Sequence, residues 1–283
     1  MQAGGLRRDS TLPLSDLKLQ LWLGMLVVVM PKVVVIAGPN GAGKSTAAPA
    51  VLRNALLVNE FVNADTIAAG LSAFSPEAVA VTAGRVMLER IRKLARDRRD
   101  FAFETTLASR TFDPWLRKLQ RQGYRCHLVY LWLPTVELAV ARVAERVRRG
   151  GHAVAEDIVR RRYARSLTNF FGIYGGFADS WLMVNNSVRP RPRLVAKRAV
   201  GRRVSVFRAD EWSALRTNVS DDVPTKAEPE AASVADELLQ VRILDAIGDA
   251  VQEAIRDHRR AGNSIAEWRD GRVVLVPPEQ IED

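Results

Sequence analysis

Eight consecutive residues, Gly38-Pro39-Asn40-Gly41-Ala42-Gly43-Lys44-Ser45, match the pattern G-x-x-x-x-G-K-[ST] in full. The residue types dictate a chemistry. Glycines let the main chain turn so that successive N–H groups converge on phosphate oxygens, and a helix starting there adds a fixed positive partial charge. Lys44 is then placed to reach the β- and γ-phosphates of a nucleoside triphosphate, Ser45 to ligate magnesium through its hydroxyl, and Thr46 to meet the α-phosphate. ATP and Mg2+ are the expected cofactors. The motif alone leaves kinase, ATPase and GTPase chemistry open.

Two carboxylates follow at the ends of apolar runs. Phe61-Val62-Asn63-Ala64-Asp65 reads as a short strand ending in Asp65, on the edge where open α/β sheets bind ligands. A carboxylate there can take the proton of a substrate hydroxyl as it attacks the γ-phosphate. Capping a helix that begins near Thr66 is the plainer role, and the two are compatible. Phe103-Glu104-Thr105-Thr106-Leu107 ends a further strand on the same edge. Glu104 is expected to order the magnesium shell through water or to grip a substrate hydroxyl, and Thr106 to bind substrate, with capping as the structural alternative.

Eight arginines fall within the 24 residues from Arg142 to Arg165. Arg142 and Arg146 are four apart and so share a helical face, while Arg149 precedes the Gly150-Gly151 break where a lid could begin. Guanidinium groups offset charge spread over phosphoryl oxygens better than lysine does, so Arg142 and Arg149 are candidate phosphate clamps, with a solvated charged face as the alternative. Arg160, Arg161, Arg162 and Arg165 read as a solvated charged face, and His152 as structural.

The elements that must hold these residues alternate. Val33-Val34-Val35-Ile36-Ala37 is a β-branched run bounded by glycine, the pattern of a strand buried on both faces. A helix is expected from about Lys44 to Asn54, a second from Pro76 to about Asp97 behind the Ser75-Pro76-Glu77 start signal, and a third from Phe112 to Gly123. Cys126 to Leu133 is another buried strand, followed by helices over Val136 to Arg149 and Ala155 to Phe170. Short strands are expected at Leu194-Val195-Ala196 and Val204 to Phe207. The fold class is therefore α/β, a three-layer P-loop NTPase fold with a mostly parallel sheet flanked by helices, plus a small C-terminal helix and hairpin.

The chain has 283 residues, a net charge of +10 and a single cysteine, Cys126. No disulfide framework or cysteine metal cluster is possible within it, and Cys126 reads as a core residue. Residues 1–30 carry an apolar run too short and interrupted for a membrane span and lack a small-residue cleavage site. They read as an extension, either a start artefact ahead of Met30 or a disordered lead, and the expected location is the cytoplasm. Residues 31–216 form the nucleotide-binding domain and 217–233 a polar, proline-containing linker. Residues 234–283 form the appendage, with a helix from Val234 to Arg260, Gly262 as C-cap and a hairpin around Asp270-Gly271. The basic balance suits an anionic partner. With no aromatic-studded basic stripe or helicase motif, no specific nucleic acid is expected.

The ordered set formed by the Gly38–Thr46 run, Val62-Asn63-Ala64-Asp65, Phe103-Glu104-Thr105-Thr106-Leu107 and the stretch from Arg149-Gly150-Gly151-His152 through Arg161-Arg162-Tyr163 resembles the zeta toxin family of P-loop kinases across residues 31 to 190. The resemblance implies phosphorylation of a sugar hydroxyl of UDP-N-acetylglucosamine and an antitoxin protein as partner. It makes Asp65 the catalytic base, puts Glu104 and Thr106 on the substrate side, and makes Arg142 and Arg149 the clamps, with Arg146 or Arg148 able to fill either clamping position. The sequence departs from the founding toxins at Thr105, where they carry glycine, and in the C-terminal helix and hairpin, which the minimal kinase lacks. Those last elements are expected to dock on the main domain or another chain, and one role for them is masking the active site in cis.

Overall fold

The structure, a computed structural model, describes residues 30–188, 191–217 and 234–282. The expectations for the first 29 residues and for most of the linker lie outside the described residues. Residues from Pro31 onward group as a single compact unit.

A seven-stranded sheet runs through it in the order β2-β3-β1-β4-β5-β6-β7. Its strands are β1 (Lys32–Ala37), β2 (Phe61–Val62), β3 (Phe101–Thr105), β4 (Arg125–Trp132), β5 (Ser180–Asn185), β6 (Arg193–Arg198) and β7 (Val204–Val206). The five from β2 to β5 pair parallel, and β6 and β7 extend the sheet antiparallel. Strand β1 sits centrally with Val33, Val34, Val35 and Ile36 at most 1% exposed, as its unbroken β-branched run requires. Register brings Ile36 beside Glu104 and Ala37 beside Thr105, so the loop after β1 and the end of β3 emerge together at one edge. Cys126 is buried in β4 as expected, and burial pushes its thiol well above the ordinary range.

The helices are α1 (Lys44–Ala50), α2 (Ala64–Leu71), α3 (Ala80–Arg96), α4 (Asp113–Arg121), α5 (Val136–Arg148), α6 (Glu156–Asn169), α7 (Gly175–Phe177), α8 (Ala209–Thr217) and α9 (Val234–Arg260). They flank the sheet. Two expected helices begin or end differently in detail. After Pro49, which has no N–H to donate, α1 widens into a π-helical segment over Val51–Leu56. Pro76–Val79 forms a 3₁₀ turn before α3 takes over at Ala80.

Strand β5 has no counterpart in the sequence reading. Its Trp181, Met183 and Val184 are buried, and Trp181 stacks on Trp212 of α8 with centroids 6.0 Å apart. Helix α9 packs along α1 and the π segment. Ile243, Ile247, Val251 and Ile255 recur on one face of α9 and join the same hydrophobic core as β1. A two-stranded ribbon of β8 (Ile265–Arg269) and β9 (Arg272–Val276) follows, turning at Asp270-Gly271 with both residues at positive φ, and β8 packs against α5. Among the described residues, no helix is long and apolar enough to cross a membrane.

Candidate active site

The loop between β1 and α1 is tightly constrained. Gly38 has φ of 134°, and a β-carbon there would lie 2.1 Å from the carbonyl oxygen of Leu131 in β4. Gly43 has φ of 80° and would clash with Asn186 Nδ2 at 2.7 Å. Gly38 excludes a side chain by conformation and by space, since it meets main chain, while Gly43 excludes one chiefly by its positive φ. The loop thereby lies close against the ends of β4 and β5.

Lys44, Ser45 and Glu104 meet where α1 begins. Lys44 is 6% exposed and donates from Nζ to Pro39 O at 2.9 Å, with Glu104 Oε1 at 3.7 Å. Burial lowers the Lys44 pKa below the ordinary lysine range, and Glu104 and Asp65 oppose that shift. Ser45 Oγ donates to Glu104 Oε2 at 2.8 Å, and Asn63 Nδ2 donates to the same oxygen at 2.7 Å. Glu104 therefore touches the phosphate-loop residues directly.

Asp65 is not the end of a strand and does not cap a helix. Strand β2 stops at Val62, and Asp65 is the second residue of α2. Asn63 is the N-cap, its Oδ1 accepting from Asp65 N at 2.7 Å and Thr66 N at 3.2 Å. With the cap supplied by Asn63, Asp65 is exposed and lines the cavity that also holds Lys44 and Glu104. Thr105 and Thr106 bond locally through their hydroxyls, to Leu107 N at 3.1 Å and Ala108 N at 3.4 Å, and both line the same cavity.

The cavity measures about 630 Å³ and gathers arginines from two helices. Arg142, Arg146 and Arg149 line it from α5 and its end, and Arg161, Arg162 and Arg165 from α6. For Arg161, Arg162 and Arg165 a solvated face is the plainer expectation, and the structure turns them to the cavity. Arg160 does keep to the solvated face, pairing with Glu137 at 3.0 Å and Glu156 at 2.8 Å. Arg142 donates to Ala266 O at 3.2 Å and Asn186 O at 3.1 Å, so its guanidinium is held between β8 and the end of β5. Arg146 donates to His152 O at 2.8 Å, lowers the Lys44 pKa by its charge, and has a buried Nε with no acceptor in the protein. Gly151 permits this placement, since a β-carbon there would meet Arg146 Cγ at 2.6 Å. Arg148 points elsewhere, to Glu145 at 2.6 Å.

Sequence reasoning missed two contributors. Asn186 donates from Nδ2 to Ala42 O at 2.8 Å and fastens the phosphate loop to the end of β5. Val251, Ala254, Ile255 and His258 of α9, with Ile265 and Ala266 of β8, line the cavity as well. The only sequence signal for Asn186 is the polar Asn185-Asn186-Ser187 stretch directly after an apolar run. Among the described residues no group of three or more His, Cys, Asp or Glu converges as a metal cage. What the site offers a cation is the adjoining Ser45 hydroxyl and Glu104 carboxylate, an oxygen pair suited to magnesium shared with phosphates and water.

Residues 33–171 match the family model described as AAA domain. An uncharacterized protein of Haemophilus influenzae (strain ATCC 51907 / DSM 11121 / KW20 / Rd) is 32% identical over 140 residues, which cover 49% of this chain and 96% of that protein. Among solved structures, AvrRxo1-ORF1:-ORF2 with ATP aligns with a TM-score of 0.54 at 14% identity, covering 79% of this chain and 76% of the other, a likeness of fold. The PezAT chromosomal toxin-antitoxin system of Streptococcus pneumoniae gives a TM-score of 0.48 at 16% identity, covering 86% and 100%.

Proposed function

Because this chain belongs to the P-loop family described as AAA domain, we propose that it is an ATP-dependent kinase acting on a hydroxyl of a small molecule. The carrying observation is that Asp65, relieved of the capping role by Asn63, shares one cavity with the Lys44–Ser45–Glu104 cluster. An ATPase would use the same carboxylate to orient water, so transfer to a hydroxyl acceptor, not hydrolysis, is the decisive readout.

In this reading the backbone N–H groups of the Gly38–Thr46 loop and Lys44 hold the triphosphate. Mg2+ would be held by Ser45 and Glu104 and would neutralise charge on the β- and γ-phosphates. Asp65 accepts the proton of the acceptor hydroxyl. That oxygen bonds to the γ-phosphorus as the bond from phosphorus to the bridging oxygen breaks, and ADP leaves. Arg146 and Arg149 offset the charge of the transferring group, with Arg142 adding its charge from its seat on two carbonyls. Thr106 contacts the acceptor.

The acceptor we favour is a nucleotide sugar, UDP-N-acetylglucosamine, as the resemblance to zeta toxins implies. Arg161, Arg162 and Arg165 at the cavity support an anionic acceptor of this kind. By the same resemblance the proposed partner is an antitoxin protein; dependence on ATP supports the cytoplasm as the proposed location. The test is transfer from γ-labelled ATP with Mg2+ to UDP-N-acetylglucosamine by the full chain and by Asp65→Asn and Lys44→Ala. A labelled sugar nucleotide with the wild type, falling by about 10²-fold or more in both variants, is expected. Labelled product undiminished in Asp65→Asn would remove Asp65 as the base. No transfer to this acceptor would send the search to other anionic hydroxyl compounds.

A further inference from the structure

The cavity has two chemically distinct ends. Glu104 engages the phosphate loop at Lys44 and Ser45, and Asp65, Thr106 and the α6 arginines share that polar region. The other region is mostly apolar and comes from the C-terminal segment: Val251, Ala254, Ile255 and His258 of α9, with Ile265 and Ala266 of β8. All of these lie outside the stretch that matches the AAA-domain family, residues 33–171.

Hydrogen bonds fix where the apolar region sits. Arg142 ties Ala266 O of β8 to Asn186 O at the end of β5, and Asn186 Nδ2 holds Ala42 O of the phosphate loop. Asn186 also stands against Gly43. Helix α9 packs on α1, the helix that opens with Lys44, Ser45 and Thr46. The segment is thus joined to the loop on its Ala42–Gly43 flank and along α1, while Glu104 occupies the flank toward the γ-phosphate. Thr46, the residue expected at the α-phosphate, lines the same cavity as this region.

We propose that α9 and the β8–β9 hairpin form the nucleobase slot of the donor nucleotide. This rests on the reading of the cavity as a nucleoside-triphosphate site. A base is a flat apolar body with polar edges, and ligand sites for such bodies combine apolar walls with a few placed polar groups. Here the walls are Val251, Ala254, Ile255 and Ile265. The polar group is Asn186 Oδ1, buried with no donor in the protein and therefore able to accept an N–H or O–H of the nucleoside. The appendage then completes the donor site instead of masking it.

The experiment is calorimetric titration of the full chain with ATP and with inorganic tripolyphosphate, both with Mg2+, for wild type, Ala254→Trp and Ala254→Leu. Ala254 is only partly buried, so these variants fill the slot without opening a hole in the core. Wild type should bind ATP at least about tenfold tighter than tripolyphosphate, and Ala254→Trp should lose most of that preference while its tripolyphosphate affinity stays within about twofold. Ala254→Leu, the smaller intrusion, should fall between and stands in if the tryptophan variant does not fold. Equal binding of the two ligands by wild type, unchanged ATP preference in the variants, or parallel loss of both ligands would each overturn the slot. ATP preference in wild type without transfer to any acceptor would sink the kinase reading and leave the slot standing. Failure of wild type to bind either ligand would end both.

Discussion

The two walls of the cavity are made in opposite ways. The phosphate wall is nearly contiguous: nine residues from Gly38 to Thr46 supply the loop, and one register step between β1 and β3 brings Glu104 to it. The opposite wall is assembled from distant pieces, with Arg142 from α5, Asn186 after β5 and Ala266 from β8 joined by two hydrogen bonds, and a third fastening Asn186 to Ala42 of the loop. A contiguous wall is set by local conformation, so its glycines should be intolerant individually. An assembled wall shares its energy among several weak ties, and single changes there should cost less.

The sharpest way to break that comparison is Gly38→Ala. The new β-carbon would sit 2.1 Å from Leu131 O at a backbone φ of 134°. Conformational strain and overpacking each cost roughly 1–3 kcal/mol, and together about 4 kcal/mol is expected in a denaturant-unfolding measurement. A loss below about 1 kcal/mol would show that the loop can shift away from β4, and the local argument would fail.

Gly151→Ala comes next. Its β-carbon would press on Arg146 Cγ at 2.6 Å and on Arg146 O at 2.9 Å without a positive φ to forbid it. The main chain there must move, costing about 1–3 kcal/mol, and the Arg146 guanidinium moves with it. Tripolyphosphate affinity should fall several-fold with the fold intact; unchanged affinity would show that Arg146 does not contact phosphate. Asn186→Ala in the assembled wall is milder. One buried hydrogen bond to Ala42 O is lost, worth about 1–2 kcal/mol of stability. If Asn186→Ala proved as costly as Gly38→Ala, the two walls would not differ in kind.

This division also explains what could be read from residues alone. The loop, Glu104 at the end of β3 and the hairpin around Asp270-Gly271 are local patterns, and each stands where its pattern puts it. The apolar Phe61-Val62 makes Asp65 look like a strand end, yet Asn63 accepts from two N–H groups of the next turn and starts α2 earlier. Strand β5 was missed because Leu182-Met183-Val184 suits either helix or strand, and Asn185-Asn186-Ser187 looks like loop. Three of the α6 arginines face the cavity and Arg160 faces solvent, a distinction that depends on how α6 packs and not on spacing within it. The α9 wall was unreadable for the same reason: its amphipathic face shows that it packs, not what it packs against.

The smallest expected effect is on pH dependence, and it probes the contiguous wall without mutation. Burial favours the uncharged form of Lys44, so its folded pKa lies below the ordinary lysine value of 10.5. Between those two values the unfolded chain binds more protons than the folded one, so Lys44's contribution to stability rises with pH across that window and its penalty is present below it. A bound triphosphate reverses the local balance by favouring charged Lys44 and raising its pKa. Nucleotide affinity should therefore be flat at lower pH and decline once pH passes the folded pKa of the free protein, by no more than about tenfold per unit for one proton. Tripolyphosphate should show the same decline as ATP, because the base does not touch Lys44. A decline seen with ATP alone would place the titrating group away from Lys44 and would reverse the assignment of charge recognition to one wall and base recognition to the other.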